Sequence, residues 1–70
     1  MLKNYSCVRL ESDRFQSEGA FRGDVGYIIE TYNDDAYEIE FSNAQGITIA
    51  QIVACRAELE LTEEHTAEGK

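Results

Sequence analysis

Apolar and polar residues alternate through the middle of the chain with the two-residue period of a β-strand. The clearest example lies in residues 36–42, where apolar and acidic side chains take turns: Tyr37, Glu38, Ile39, Glu40 and Phe41. Because successive side chains of a strand point to opposite faces of a sheet, the two aromatic residues and the isoleucine are predicted to face a core. The same rule places both glutamates in water.

Four more segments have the length and composition of strands, and polar or glycine-containing turns separate them. The five predicted strands are residues 6–10, 25–32, 36–42, 47–55 and 59–61. This order predicts an all-β fold, a small five-stranded SH3-like barrel within residues 1–61. The main alternative, an OB-fold, needs a helix between the third and fourth strands, and residues 43–46 leave no room for one.

The segments between the predicted strands differ in length. Residues 11–23 form a long first loop, in which two aromatic residues, Phe15 and Phe21, are expected to hold the loop against the domain. Residues 56–58 are predicted to make one helical turn before the last strand. The polar residues 62–70 are predicted to be a disordered acidic tail.

A glycine turn, Gly23-Asp24-Val25-Gly26, leads into the second predicted strand. A phosphate-binding loop of the Walker type needs a lysine and a following helix, and this segment continues as a strand without lysine. We therefore predict a structural role for the glycines, namely a turn with positive φ and a close approach between backbones.

The second and fourth predicted strands carry apolar residues on both faces, so the alternation does not decide which face of each strand points to the core. If Ile47, Ile49 and Val53 face the core, Ala50 and Ile52 point outward; in the second strand, inward-facing Val25, Tyr27 and Ile29 leave Ile28 and Tyr32 outside. A one-residue bulge in the second strand is the other interpretation, and it would bury Ile28.

An exposed patch on these strands would have the composition of a protein-binding face, with apolar anchors inside an acidic rim. Tyr32 would be its main anchor. The predicted protein-binding residues are Ile28, Glu30, Tyr32, Asp34, Glu38, Glu40 and Ile52.

The charge balance narrows the classes of partner. Fourteen acidic against six basic residues give a formal net charge of −8, and no Lys or Arg lies between Arg22 and Arg56. This charge repels nucleic-acid phosphates and anionic membrane surfaces and favours a basic protein. We find no membrane-spanning segment and no export signal in the sequence, so a cytoplasmic location is expected.

Residue types that could carry chemistry are present but scattered. The single histidine, His65, lies in the polar tail, away from any nucleophile, and is expected to be solvated. Asp34, Asp35, Glu38 and Glu40 lack the spacing of a calcium loop, so no metal site and no cofactor are predicted. We predict that the chain is not an enzyme.

Two cysteines, Cys7 and Cys55, lie far apart and form no CxxC motif. Cysteines of cytosolic proteins usually behave as small hydrophobic residues, so we expect buried thiols rather than a disulfide. No redox role follows from them.

The strand and turn residues also carry a family resemblance. The pattern consists of Cys7-Val8-Arg9-Leu10, Gly23-Asp24-Val25-Gly26, Ile28-Ile29-Glu30, Tyr32, Ala36-Tyr37-Glu38-Ile39-Glu40-Phe41 and residues 46–50. It resembles the DUF4926 group of small bacterial proteins over about residues 2–61. The resemblance implies an SH3-like barrel and supplies no activity, because the group has no established catalytic residues.

A looser similarity links the glycine turn to KOW modules, which are nucleic-acid- and protein-binding elements of ribosomal proteins and transcription factors. A KOW element that contacts RNA is expected to carry Lys or Arg around this turn, whereas only Arg22 is basic here. The similarity therefore does not extend to RNA binding.

These observations predict a protein-binding module without enzymatic activity, whose partner is a basic protein. That partner would be a nuclease-like toxin that the module neutralises or a larger enzyme that it serves as an accessory subunit. A KOW-like nucleic-acid or ribosome-associated element is the alternative. A homodimer through the edge of strand 47–55 is compatible with either function.

Overall fold

Five antiparallel strands form one sheet in the computed structural model, which describes residues 2–62. The strands are β1 (Cys7–Leu10), β2 (Val25–Tyr32), β3 (Ala36–Ser42), β4 (Thr48–Cys55) and β5 (Leu59–Leu61). Short 3₁₀ turns at Gln16–Glu18 and Arg56–Glu58 lie in the first loop and before β5. The all-β prediction and the five strands are confirmed.

The strand order in the sheet is β4-β3-β2-β1-β5. Strands β1 to β4 follow one another as neighbours, and the chain then returns through the second 3₁₀ turn to pair β5 with the other side of β1. This order makes β4 and β5 the two edges of the sheet. The closed SH3-like barrel stays a prediction.

The core lies on one face of the sheet, which we call the inner face. Tyr37, Ile39 and Phe41 of β3 are buried there, as their alternation predicts. The other strands and the first loop add the rest of the core: Val8, Leu10, Phe15, Ala20, Ile28, Ala50, Ile52, Ala54 and Leu59. Of the two loop aromatics, Phe15 is buried and Phe21 is half exposed.

In β4, the interpretation that turns Ile47, Ile49 and Val53 toward the core and Ile52 outward is wrong. Ala54 lies opposite Tyr37 and Ala50 opposite Phe41, so small residues of β4 accept the large side chains of β3 on the inner face. Ile52 lies opposite Ile39 between them and is only 4% exposed. The residues expected to face inward are exposed instead: Ile47, Ile49 and Val53.

A bulge in β2 decides between the two interpretations of that strand. The pairing between β2 and β3 shifts by one residue between Ile28 and Glu30, which leaves Ile29 in the bulge. Ile28 therefore lies opposite Ile39 and is fully buried, while Tyr27 is turned to the other face. The bulge interpretation is confirmed, and the strict alternation that left Ile28 outside is wrong.

The glycine turn has the two structural roles predicted for it. Gly23 has a φ of 95°, in the left-handed region that favours glycine. At Gly26, a Cβ atom would lie 2.6 Å from the carbonyl oxygen of Glu40 and 2.8 Å from the Phe41 ring. Only a residue without a side chain allows β2 to pass this part of β3.

The two cysteines are not joined by a disulfide. Cys7 is buried, as predicted, but Cys55 is exposed because it lies on the opposite face of β4 from Ala54. The backbone N–H of Thr62 donates to the carbonyl of Cys7, at 2.9 Å, so the first residue of the predicted tail still pairs with β1. The rest of that tail, with His65, lies outside the described residues.

Among residues 2–62, no helical segment has the length and apolar character of a membrane span.

Candidate functional site

The side of β2, β3 and β4 that faces away from the core is the candidate site, and we call it the outer face. Residues directly opposite each other in antiparallel strands point to the same side, so the strand register defines this face. Its three rows across β2, β3 and β4 are Tyr27, Glu40 and Gln51; Glu30, Glu38 and Val53; and Tyr32, Ala36 and Cys55.

The outer face contains four of the seven predicted protein-binding residues: Glu30, Tyr32, Glu38 and Glu40. Asp34 is exposed in the turn between β2 and β3, at one end of this face. The predicted exposure of Ile28 and Ile52 is wrong, because both side chains are buried on the inner face. The binding role of the remaining five residues stays a prediction.

Two apolar residues of the outer face were missed by the sequence pattern. Tyr27 is 45% exposed and Val53 is 46% exposed, and together with Tyr32, at 40%, they supply the apolar contacts that we had assigned to the isoleucines. No signal in the sequence identifies them, because an unbroken ladder from the pair Tyr32–Ala36 would place Ile29 opposite Ile39. The bulge places Ile28 there instead, and Ile28 and Ile52 share the buried side of Ile39.

Glu38 is the centre of a hydrogen-bond network on the outer face. The Tyr32 hydroxyl donates to its Oε1 and the Gln51 amide donates to its Oε2, each at 2.7 Å. These two hydrogen bonds stabilise the carboxylate and lower the pKa of Glu38 below its ordinary value. The same contact with Glu38 raises the pKa of Tyr32, so the carboxylate keeps its charge and the tyrosine keeps its proton.

The Glu40 carboxylate, one row away, accepts a hydrogen bond from the Thr48 hydroxyl of β4. Like the network at Glu38, this contact joins β3 to β4 through a neutral side chain. The partners therefore orient the two carboxylates without neutralising them.

Like charges face each other on this surface. Glu30 of β2 lies directly opposite Glu38 of β3, an arrangement that costs stability in a sheet. None of β2, β3 and β4 contributes a Lys or Arg that could separate these charges. The outer face thus carries three carboxylates, counting Glu40, and no basic residue of its own strands.

The arginines lie outside the three strands of the outer face, on β1, the first loop and the second 3₁₀ turn, and we call this region the arginine-paired side. Arg9 of β1 lies opposite Val25, which is two residues from Tyr27 on the same side of β2. The Arg14 guanidinium donates two hydrogen bonds to Glu58, at 2.6 and 2.9 Å, and stacks on the Phe15 ring at 4.2 Å. Arg22 likewise forms a bidentate ion pair with Asp13, and each of its two hydrogen bonds is 3.1 Å long.

The ion pairs of the arginine-paired side also shift the titration of its acids. The Arg14 guanidinium holds the pKa of Glu58 at about 2, below its ordinary value of 4.5. The hydrogen bond from Arg22 likewise lowers the pKa of Asp13. Arg9 reaches Glu60 at 3.0 Å across the β1–β5 pair. On this side, three acids, Asp13, Glu58 and Glu60, are each paired with an arginine.

The shape of the described surface also bears on its chemistry. Residues 2–62 enclose no pocket and bring together no group of three side chains able to hold a metal ion. A face that has no pocket and carries tyrosines, a valine and carboxylates can contact another macromolecule over a broad area.

Comparisons with known proteins place the chain in a family. Neither the curated proteins nor the solved structures include a match to it. The model of one protein family, described as Domain of unknown function (DUF4926), matches residues 5–61, which include all five strands. The chain therefore belongs to the DUF4926 family.

Proposed function

We propose that this protein is a binding module without enzymatic activity, which uses its outer face to hold a basic protein partner. The partner is a nuclease-like toxin that the module neutralises or a larger enzyme that it serves as an accessory subunit. The proposal includes the cytoplasmic location expected from the sequence.

The observation that carries the proposal is the set of carboxylates on the outer face. Glu30, Glu38 and Glu40 lie together on one surface, and their strands provide no cation to balance them. A fold keeps such repulsion at a cost in stability, and a basic partner would remove it on binding. Electrostatic attraction to that partner would also speed association.

Three exposed apolar side chains complement the charges. Tyr27, Tyr32 and Val53 are each about half exposed beside the carboxylates. Tyrosine is common at the energetic centre of protein interfaces, because its ring buries a large area with little loss of side-chain freedom. Such contacts would slow dissociation after charge has brought the partners together.

Affinity capture from a lysate of the native host tests the proposal when three forms of the protein are compared. The first is the wild type, the second is Glu38→Gln/Glu40→Gln, and the third is the control Glu11→Gln/Glu18→Gln. The control removes two negative charges from the first loop and leaves the outer face intact. Captured proteins are eluted with increasing salt and identified by mass spectrometry.

We expect the wild type and the control to retain the same basic protein at low salt, and the outer-face variant to lose it. The captured protein should elute before about 0.5 M NaCl, because salt at that concentration limits the attraction between charges to a range of only a few Å. Retention of no basic protein at low salt, or equal retention by both variants, would contradict the proposal.

The KOW-like alternative is tested by a gel shift with single-stranded and duplex RNA. We expect no retarded complex at physiological salt, because phosphate binding depends on Lys and Arg that release counterions. A complex that forms there, and weakens when Arg22 is replaced by Gln, would reverse the ranking of the two functions.

A further inference from the structure

The two edges of the sheet differ in how they are protected. Edge strands expose unpaired backbone groups, and proteins usually shield them with charged residues, proline or short length. β5 has only three residues, one of which is Glu60 in its ion pair with Arg9. β4 has eight residues, TIAQIVAC, none of them charged and none proline.

The open part of the β4 edge is residues 51–54. Within the described chain β4 pairs only with β3, and no backbone hydrogen bond from another segment reaches these residues. At the start of the strand the first loop comes close, since a Cβ on Gly19 would lie 3.6 Å from the Ile49 carbonyl oxygen. From Gln51 onward, every second residue directs its N–H and C=O away from β3.

The charges of the outer face specify what kind of strand fits this edge. A strand added to β4 would lie about 4.8 Å from it and about 10 Å from β3. Its outward side chains would stand beside Gln51 and Val53, which are neutral, with Glu38 and Glu40 in the next column. Lys or Arg at these outward positions is long enough to lean across β4 toward both carboxylates.

We propose that the β4 edge at residues 51–54 binds an extended strand of the basic partner, with Lys or Arg at alternate positions over the outer face. This inference rests on the proposed function and adds its binding mode, strand addition. A second copy of the chain fits the edge less well. It would bring a further formal charge of −8 and no basic residue in its own β4.

The test uses the full chain and a fluorescein-labelled peptide, Lys-Val-Lys-Val-Lys-Val-Lys, in three forms. One is unmodified, one is N-methylated at its lysine amides and one at its valine amides. Each methylated form removes the hydrogen-bond donors from one side of the extended peptide and keeps its charges. Fluorescence anisotropy at low salt gives the three affinities, and hydrogen exchange by NMR follows the amides of residues 51–54.

We expect the unmodified peptide to bind, and the two methylated peptides to differ in affinity by about tenfold or more, because only one set of amides faces β4. Every second amide in residues 51–54 should exchange more slowly in the complex. A peptide with Glu in place of Lys should not bind.

Equal affinities of the two methylated peptides, both sensitive to salt, would overturn strand addition and leave the basic-partner proposal standing. Failure of the unmodified peptide to bind at low salt would overturn both. Sedimentation that shows a dimer of the chain, dissociated by the peptide, would assign the edge to a second copy and overturn the choice of a cationic strand.

Discussion

The outer face and the arginine-paired side use carboxylates in opposite ways. On the arginine-paired side, Glu58 and Asp13 each receive two hydrogen bonds from a guanidinium. On the outer face, Glu38 is held by a tyrosine and an amide, and Glu30 opposes it with a second negative charge. The first arrangement stabilises the fold, whereas the second costs stability and orients charge toward solvent.

The difference shows that net charge alone does not tell where the unpaired acids of this molecule lie. A formal charge of −8 could be spread evenly over the surface. Instead, three acids near β1 and β5, namely Asp13, Glu58 and Glu60, are paired with arginines, and the glutamates of β2 and β3 are not. The unbalanced region coincides with the exposed Tyr27, Tyr32 and Val53.

The largest expected effect tests whether the outer face can change without loss of the fold. Ile28→Ala should lower the free energy of unfolding by about 2–5 kcal/mol, because it leaves a cavity in the core. Tyr27→Ala, one residue earlier on the opposite face, should cost less than about 1 kcal/mol. Urea denaturation followed by circular dichroism measures both. A cost for Tyr27→Ala as large as that for Ile28→Ala would make the outer face part of the core.

The next effect tests the arginine-paired side. Glu58→Gln should lower stability at pH 7 by about 1–2 kcal/mol, less than the full pKa shift implies, because solvent screens the exposed Arg14. The wild type holds this contribution above pH 4.5, the ordinary pKa, and loses it as the pH falls toward the folded pKa of about 2. Thermal unfolding across this range should show the two proteins converging in acid.

The control for that experiment is Asp34→Asn, which removes an exposed charge from the turn between β2 and β3 and breaks no ion pair to arginine. Its stability should follow the wild type over the whole pH range. A constant difference between Glu58→Gln and the wild type in acid would mean that the ion pair with Arg14 is not the cause.

A smaller effect of opposite sign is expected on the outer face. Glu30→Gln should raise stability by about 0.2–1 kcal/mol at low salt, because it removes a like charge opposite Glu38. Added salt should shrink the gain, since the side chains are exposed. Urea denaturation at two salt concentrations measures it. A loss of stability would show that Glu30 supports the fold.

The smallest effect is expected for Glu60→Gln, which breaks the exposed ion pair with Arg9. Such pairs contribute little, so stability should fall by about 0.5 kcal/mol or less. The same urea series serves as the measurement. A gain in stability as large as that expected for Glu30→Gln would remove the distinction between acids that are paired with arginine and acids that are not.

Much of the fold could be predicted because β3 is unambiguous. Its single alternating pattern gives the buried side, and the turns on both sides of β3 give the neighbouring strands. The bounds of β2 and β3 match the prediction, and β1 and β4 begin one residue later than expected.

The faces of β2 and β4 could not be read in the same way. Both strands are apolar on both faces, and the pairing of each with β3 shifts by one residue. In β2 the shift follows Ile28, and in β4 it lies between Thr48 and Ala50. Alternation assumes an unbroken ladder, so one extra residue reverses every later side chain. This is why the exposure of the acidic side chains was predicted correctly and the exposure of Ile28 and Ile52 was not.

The uncharged edge of β4 has a consequence for how the protein behaves at high concentration. In other sheets a lysine on the edge strand prevents edge-to-edge association. Here β4 has no charged residue, and only the long-range repulsion between chains of charge −8 opposes that association. Ionic strength should therefore control how readily copies of the chain associate. In concentrated solution at high salt this repulsion is screened, and we expect edge-to-edge pairing of β4 strands to become more favourable.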